Sequence, residues 1–331
     1  MFKQAFKKAL IGSGAMRLAS RMTGSGAAII MYHSVQDDPA AANLDQLGGI
    51  IHSAKVFQGQ MEIIAHHFTP VTLEQILGFL GGDKALPQRP VVVTFDDGYR
   101  DNFHVAKPIL DKVGIPGVFY VAVDCIQHQS LPWPSQLRHT FLTGKAASWA
   151  DSRGTIWPLG TRGQRLQAFD DASKQCARLA GQSQKDFLES VRGELHASPL
   201  TSNHDMMSWG ELRALDRAGH IVGSHTVTHP NMAQISPELA EVEFAESKRR
   251  LEEELGKPVA HFSYPCPALE PHWSDQTVGL SRKLGYLTGV TTNGGLVRQS
   301  DNALALRRIR PTKTVDGVRW NLECTFAGRV V

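Results

Sequence analysis

Four side chains in two short segments carry the clearest chemistry of this 331-residue chain. The first segment reads Val91-Val92-Val93-Thr94-Phe95-Asp96-Asp97-Gly98-Tyr99. Three β-branched residues lead into two carboxylates and a glycine. That pattern predicts a strand buried on both faces, with Asp96 and Asp97 at its C-terminal end. Alternation along a strand sends neighbouring side chains in different directions, so one carboxylate can hold a metal while the other takes a proton. The blander reading is an acidic turn, because Asp-Gly is a common turn pair.

The second segment, Gly219 to Pro230, repeats the design, with a short apolar stretch ending at His225 and His229 four residues on. Two imidazoles at that spacing can meet one ion if the backbone turns helically between them. With Asp97 they form a His-His-carboxylate set that leaves positions open for water and substrate. Such a set favours zinc, which lowers the pKa of bound water to about 7. Asp96 is then placed as general base.

Thr94-Phe95-Asp96-Asp97-Gly98, taken with Ser224-His225-Thr226-Val227-Thr228-His229-Pro230, resembles the first two motifs of the polysaccharide deacetylases (NodB homology, carbohydrate esterase family 4). The order and type of segments resemble that family from about Met31 to about Pro311. The resemblance implies a distorted (β/α)7-type barrel, an N-acetylated sugar unit as substrate, and acetate plus a free amine as products. The family's third motif, Arg-x-Pro-Tyr, falls on Ser263-Tyr264-Pro265-Cys266, where only the proline is kept. The backbone N–H of Cys266 can still serve an oxyanion. Ser263 cannot replace an arginine that orients the base. Arg308 can, if Leu304 to Arg310 is a last strand with Leu304, Leu306, Arg308 and Arg310 on one face; the alternative is a surface charge at a strand end. Tyr99, Tyr264 and Pro265 complete the substrate-binding candidates.

The family's usual general-acid histidine near the C-terminus is missing, since no histidine follows His272. Tyr32-His33 at the end of the first apolar run resembles the Tyr-His pair of a circularly permuted subset similar to poly-N-acetylglucosamine deacetylases. His33 is therefore the candidate acid and His272 the alternative. A nearby carboxylate is expected to raise the His33 pKa.

These residues need an α/β framework to gather them. Strand-like runs alternate with helical patterns, which predicts a parallel sheet. Thr72 with Gln75 and Ser208 with Glu211 read as capping boxes, Ser236-Pro237 as a helix start, and Gly114 and Gly256 as helix stops. Asn102 to Val113 reads as one helix. The charges of the 238–255 helix read as a solvated outer face. Residues 126–205 interrupt the rhythm and read as an insertion: either a sugar-binding wall or lid, or a helical subdomain whose tryptophans fill its own core, the second being favoured.

The net charge of +3 gives no reason to expect nucleic acid as a partner. Four scattered cysteines, with no Cys-x-x-Cys pair, suggest neither a zinc ribbon nor a disulfide framework. Residues 1–26 form a basic amphipathic segment ahead of a 27–331 barrel domain; residues 1–22 are a candidate peripheral contact to an anionic membrane, against a helix packed on the barrel or a loose basic tail. No signal-peptide core or stretch of ~18 apolar residues is found, so the expected location is cytoplasmic or at the inner membrane face. A metal-dependent sugar N-deacetylase is the leading reading. An amide hydrolase of the same fold acting on a non-sugar substrate and a non-catalytic carbohydrate-binding relative are the alternatives. The complete Asp96, Asp97, His225, His229 set argues against the last.

Overall fold

A computed structural model describes residues 26–37, 50–198, 200 and 206–329, with single positions 10, 13 and 16. The candidate membrane segment 1–22 lies almost wholly outside the described residues. Among the described residues no helix is long and apolar enough to cross a membrane.

The chain enters through β1 (Ala28–Tyr32), fully buried, then a short parallel pair, β2 (Ser34–Gln36) with β3 (Ile51–Ser53). Helix α1 (Ala54–His67) turns Phe57, Met61 and Ile64 inward, as their spacing predicts. After β4 (Thr69–Pro70), Thr72 and Gln75 close a capping box at the start of α2 (Leu73–Leu80). Strand β5 (Pro90–Phe95) is buried throughout and carries Asp96 and Asp97 just past its end. The expected helix at 102–113 is in two parts, a π-helical turn (Asn102–Ala106) and α3 (Lys107–Val113). Pro108 offers no N–H to the carbonyl four residues back, and a widened turn accommodates that loss.

Next come β6 (Gly117–Val121) and α4 (Val123–His128). The insertion follows as α5 (Trp133–Thr143), an antiparallel hairpin β7 (Ser148–Ala150) and β8 (Ile156–Pro158), then α6 (Arg162–Cys176) and α7 (Gly181–Glu194). It has its own apolar core, including Trp133, Phe141 and Trp149, as the helical-subdomain reading expects. The sheet resumes with α8 (Trp209–Arg217), capped by Ser208 and Glu211, and β9 (Ile221–Ser224). Then follow α9 (Pro237–Leu255), β10 (His261–Ser263), α10 (Asp275–Lys283), β11 (Thr288–Val290) and α11 (Val315–Phe326).

The parallel strands run in the order β1-β5-β6-β9-β10-β11, with β4 on β5, and curl into a half-barrel. The expected last strand at 304–310 does not form. Residues 303–305 make a 3₁₀ turn capped by Asn302, and single bridges join Leu306 to Val290 and Ile309 to Ile30. That segment spans the gap between β11 and β1. The physical reason is local: the Asn302 side chain accepts from Leu304 N–H and starts a turn where a strand would have to begin.

Register decides what meets at the sheet's C-terminal edge. Tyr32 pairs with Phe95, Val121 with Ser224, Ser224 with Phe262, and Ser263 with Val290. His33, Asp96, His225 and Tyr264 therefore leave the sheet on one edge, as α/β folds arrange their chemistry. Gly223 makes the close strand approach possible, because a Cβ there would lie 2.6 Å from the Tyr120 ring and 2.8 Å from the His261 carbonyl oxygen. Gly223→Ala should cost about 1–3 kcal/mol in urea unfolding. An unchanged midpoint would mean the sheet can spread there.

Candidate active site

Asp97 leaves β5 in the left-handed backbone region, with φ 77°. Thr226 and His229 do the same, at 68° and 59°. Three non-glycine residues in that region within one site are costly, so the surroundings must hold them. Thr226 Oγ1 accepts from His229 N–H (3.1 Å), and Ser224 Oγ accepts from Thr226 N–H (3.2 Å).

A buried carboxylate clamps the same loop. Glu243 Oε2 accepts from the backbone N–H groups of Val227 (2.7 Å) and Thr228 (2.9 Å), and Oε1 accepts from Thr228 Oγ1 (2.5 Å). Burial pushes the Glu243 carboxyl above its usual range despite those donors. Helix α9 is thus not wholly a solvated charged face. The missed signal is that Glu243 shares the stripe of Ala240, Phe244, Ser247 and Leu251, all buried. From the insertion, Trp133 Nε1 donates to the His229 carbonyl oxygen (2.9 Å).

The loop so held brings His225 Nε2 and His229 Nε2 to 3.4 and 3.3 Å from Asp97 Oδ1. His225 Nδ1 lies 2.8 Å from the Ser263 carbonyl oxygen, which can only accept. Nδ1 therefore carries a hydrogen, and the neutral ring presents its Nε2 lone pair to the carboxylate. Asp97 Oδ1 is buried with no hydrogen-bond partner. Acceptors facing one another in a dry site are costly unless a cation joins them. Burial opposes charge on Asp97, but the two imidazoles outweigh it and hold the carboxyl well below its ordinary value. Burial likewise opposes charge on His225, yet Asp96 and Asp97 prevail and favour positive charge there. Two imidazole nitrogens and one carboxylate oxygen fit a divalent ion.

Asp96 is engaged differently. Arg308 Nη1 donates to Oδ1 and Nη2 to Oδ2, both at 2.7 Å, and Ser263 Oγ adds a longer bond to Oδ2 (3.3 Å). Burial is the largest single influence and raises the Asp96 pKa, but Arg308, His225 and His33 together hold it below the ordinary value. Arg308 is itself buried, with Nε donating to the Thr291 carbonyl oxygen (2.8 Å). It is not a surface charge, although it arrives on a bridged segment and not on a strand.

Comparison with known proteins bears on this geometry. Residues 167–289, which contain both site histidines, match the family model described as polysaccharide deacetylase. A Bacillus subtilis protein whose name calls it a polysaccharide deacetylase, YxkH, is 20% identical over 290 residues, 87% of this chain and 72% of that one. Residues 167–289 thus match a polysaccharide deacetylase domain. The Escherichia coli poly-beta-1,6-N-acetyl-D-glucosamine N-deacetylase is 30% identical over 95 residues, 29% of this chain but only 14% of its own length. Among solved structures, the Streptococcus pyogenes deacetylase PplD aligns with a TM-score of 0.59 at 19% identity, over 90% of this chain and 98% of that one. IcaB from Ammonifex degensii aligns equally well, 0.59 at 18%, over 91% and 97%.

The site opens into a cleft of about 570 Å³. His33, Asp96, Asp97, His225, His229 and Cys266 all line it. His33 is held from behind, where Asn102 Nδ2 donates to its carbonyl oxygen (2.6 Å). Its pKa does not rise as expected. Burial, helped by Arg308 and His225, lowers it although Asp97 and Asp96 pull it upward. Tyr32 turns away from the cleft, donating to Gln60 Oε1 (2.7 Å) within the core. Tyr99 lines the cleft with a buried hydroxyl that has no partner. Tyr264 lines it too, as the edge of an aromatic cluster with Phe262 and Phe244. Pro265 is buried and does not reach the cleft wall, and neither does His272, whose Nδ1 pairs with Glu270 (3.0 Å). Cys266, Glu270 and His272 form a second cluster of possible ligands. There His272 Nε2 accepts from Thr292 N–H (3.3 Å), which leaves its proton on Nδ1 toward Glu270 and the ring satisfied without an ion.

Glu243→Ala frees the loop while touching no ligand. It should weaken zinc affinity about 10–100-fold in a competition titration, with the circular dichroism spectrum retained. Unaltered affinity would show that Thr226 and Trp133 hold the loop unaided.

Proposed function

We propose that this domain is a metal-dependent N-deacetylase acting on N-acetylated sugar units of a glycan. The single observation that carries the reading is the convergence of the Asp97, His225 and His229 donors beside the Asp96–Arg308 pair. Zinc is the favoured ion, from two nitrogen donors and one oxygen. When bound, it would supply Lewis acidity to the acetamide carbonyl and to water. Asp96 takes the proton of the attacking water on Oδ1, which keeps a lone pair beyond its Arg308 bond. Arg308 keeps that carboxylate ionised and fixes its plane. The Cys266 N–H, at the cleft margin, faces the developing oxyanion. Tyr99 supplies its unpartnered hydroxyl to the sugar.

His33 delivers the proton to the leaving nitrogen. Its lowered pKa makes the protonated ring a stronger acid but the minor form at neutral pH, a form that the carboxylates beside it favour. The sugar reading is supported by the family match and by the poly-N-acetylglucosamine deacetylase among the relatives.

Purified protein should contain about one zinc per chain and release acetate from N-acetylated glycans, with loss of both in His225→Ala. Full metal occupancy in that variant would remove His225 from the ligand set. Acetate from acetylated amines but from no glycan would favour the non-sugar amide hydrolase. Asp96→Asn should keep its metal and lose turnover, and parental rates would require another base.

His33→Gln should bind metal normally and lose roughly 10²–10⁴ in kcat on an amide. An aryl ester, whose leaving group needs no proton, should suffer less. Equal losses on both substrates would instead mean that His33 positions the substrate.

A further inference from the structure

His33 stands in the gap between two strands, after β1 ends at Tyr32 and before β2 starts at Ser34. Among the described residues nothing hydrogen-bonds its ring, and Asp96, Asp97, Arg308 and His225 act on it through charge. The aim of the imidazole therefore depends on what holds the backbone bend that carries it.

Two neighbouring side chains hold that bend. They come from the turn that leaves β5 with Asp96 and Asp97 and enters the π-helical turn at Asn102, beside β2. Asn102 Nδ2 donates to the His33 carbonyl oxygen (2.6 Å) and to Asp101 Oδ1 (2.9 Å). Asp101 Oδ2 accepts from Ser34 Oγ (2.5 Å), and Ser34 Oγ accepts in turn from Gln36 Nε2 (3.1 Å). Ser34 and Asn102 are fully buried.

Asp101 is unusual in two respects. It occupies the cap position ahead of the π-helical turn, where an aspartate ordinarily accepts from a helix N–H, yet its side chain makes no capping bond. Its carboxylate reaches across to Ser34 instead. Burial pushes that carboxyl up to about 7, against the pull of Ser34, the Val35 backbone and Asn102. A buried carboxylate among neutral donors is costly, so packing alone does not call for one here.

Resting on the reading of His33 as general acid, we infer that Asp101, acting through Ser34 and Asn102, is a positioning residue for that acid. It ties the bend that carries His33 to the turn that carries Asp97, and so sets the imidazole at a fixed place beside the carboxylates. Glu243 is its counterpart, since it takes the backbone of the His225–His229 loop in the same way. One clamping carboxylate then serves each half of the site.

The test measures kcat and KM of the zinc-loaded full chain on an N-acetylglucosamine oligomer and on an aryl acetate, with zinc affinity read by competition titration. Asp101→Asn should lower kcat on the amide about 10–100-fold, as a displaced catalytic group does, and leave KM and zinc affinity within about twofold. The aryl ester, whose leaving group needs no proton, should lose much less. Ser34→Ala should show the same pattern with a smaller loss, and it carries the test if Asp101→Asn does not fold. Added to His33→Gln, either change should cost nothing further on the amide, because the group it positions is gone. Multiplied losses in those double variants, or equal losses on amide and ester in the single ones, would make Asp101 merely structural and overturn the inference. Undiminished amide turnover in both single variants would overturn it too. A full amide rate in His33→Gln would instead overturn the reading of His33 as acid, and parental protein that releases no acetate from the oligomer would overturn the deacetylase reading; the inference falls with either.

Discussion

A buried carboxylate oxygen faced by two imidazole nitrogens is the constraint on which the site depends. Asp97 Oδ1 lies 3.3 and 3.4 Å from those nitrogens. In water such a group would be solvated, but in a dry strand-end crevice it demands a cation. Much of the neighbouring structure serves to hold those three atoms together. Left-handed backbone at Asp97, Thr226 and His229 aims the side chains. Glu243 takes two loop N–H groups, the Ser263 carbonyl fixes the His225 tautomer, and Trp133 ties the insertion to the His229 carbonyl. Strain of this kind persists only where neighbours over-determine it.

The second carboxylate is set apart by its partner. Asp96 stands one residue from Asp97, yet the left-handed backbone at Asp97 parts the two side chains, and Asp96 meets Arg308 while Asp97 meets the imidazoles. Two parallel hydrogen bonds give it a fixed plane and a lowered pKa. Adjacent aspartates thereby acquire different tasks from their environments, one to hold an ion and one to exchange a proton. The arginine arrives late in the chain, on the segment that spans the gap between β11 and β1, so completing the sheet and orienting Asp96 are one structural event.

The parts of this arrangement that were legible in the sequence are those written locally. The β-branched run into Asp96-Asp97, the His225–His229 spacing and the capping boxes each depend on neighbours within a few residues. The helical subdomain could be expected from tryptophans in a weakly periodic stretch. Long-range choices were less legible. Glu243 looks like one more acid on a charged helix until its neighbours at 240, 244, 247 and 251 are placed on the same stripe. The 304–310 run alternates like a strand, but Asn302 starts a turn first. The His33 pKa depends on how deeply the ring is buried, and sequence spacing says nothing of that depth. Tyr264 and Pro265 follow a family motif, but the aromatic cluster around Phe262 takes one largely into the core, and the other never reaches the cleft.

The most direct test of the account is the position of the metal in crystals of the zinc-loaded protein, located by anomalous scattering on the two sides of the zinc edge. One strong peak should lie about 2.0–2.2 Å from Asp97 Oδ1, His225 Nε2 and His229 Nε2. No peak there, or a peak only among Cys266, Glu270 and His272, would contradict the claim that the Asp97 carboxylate is built around an ion.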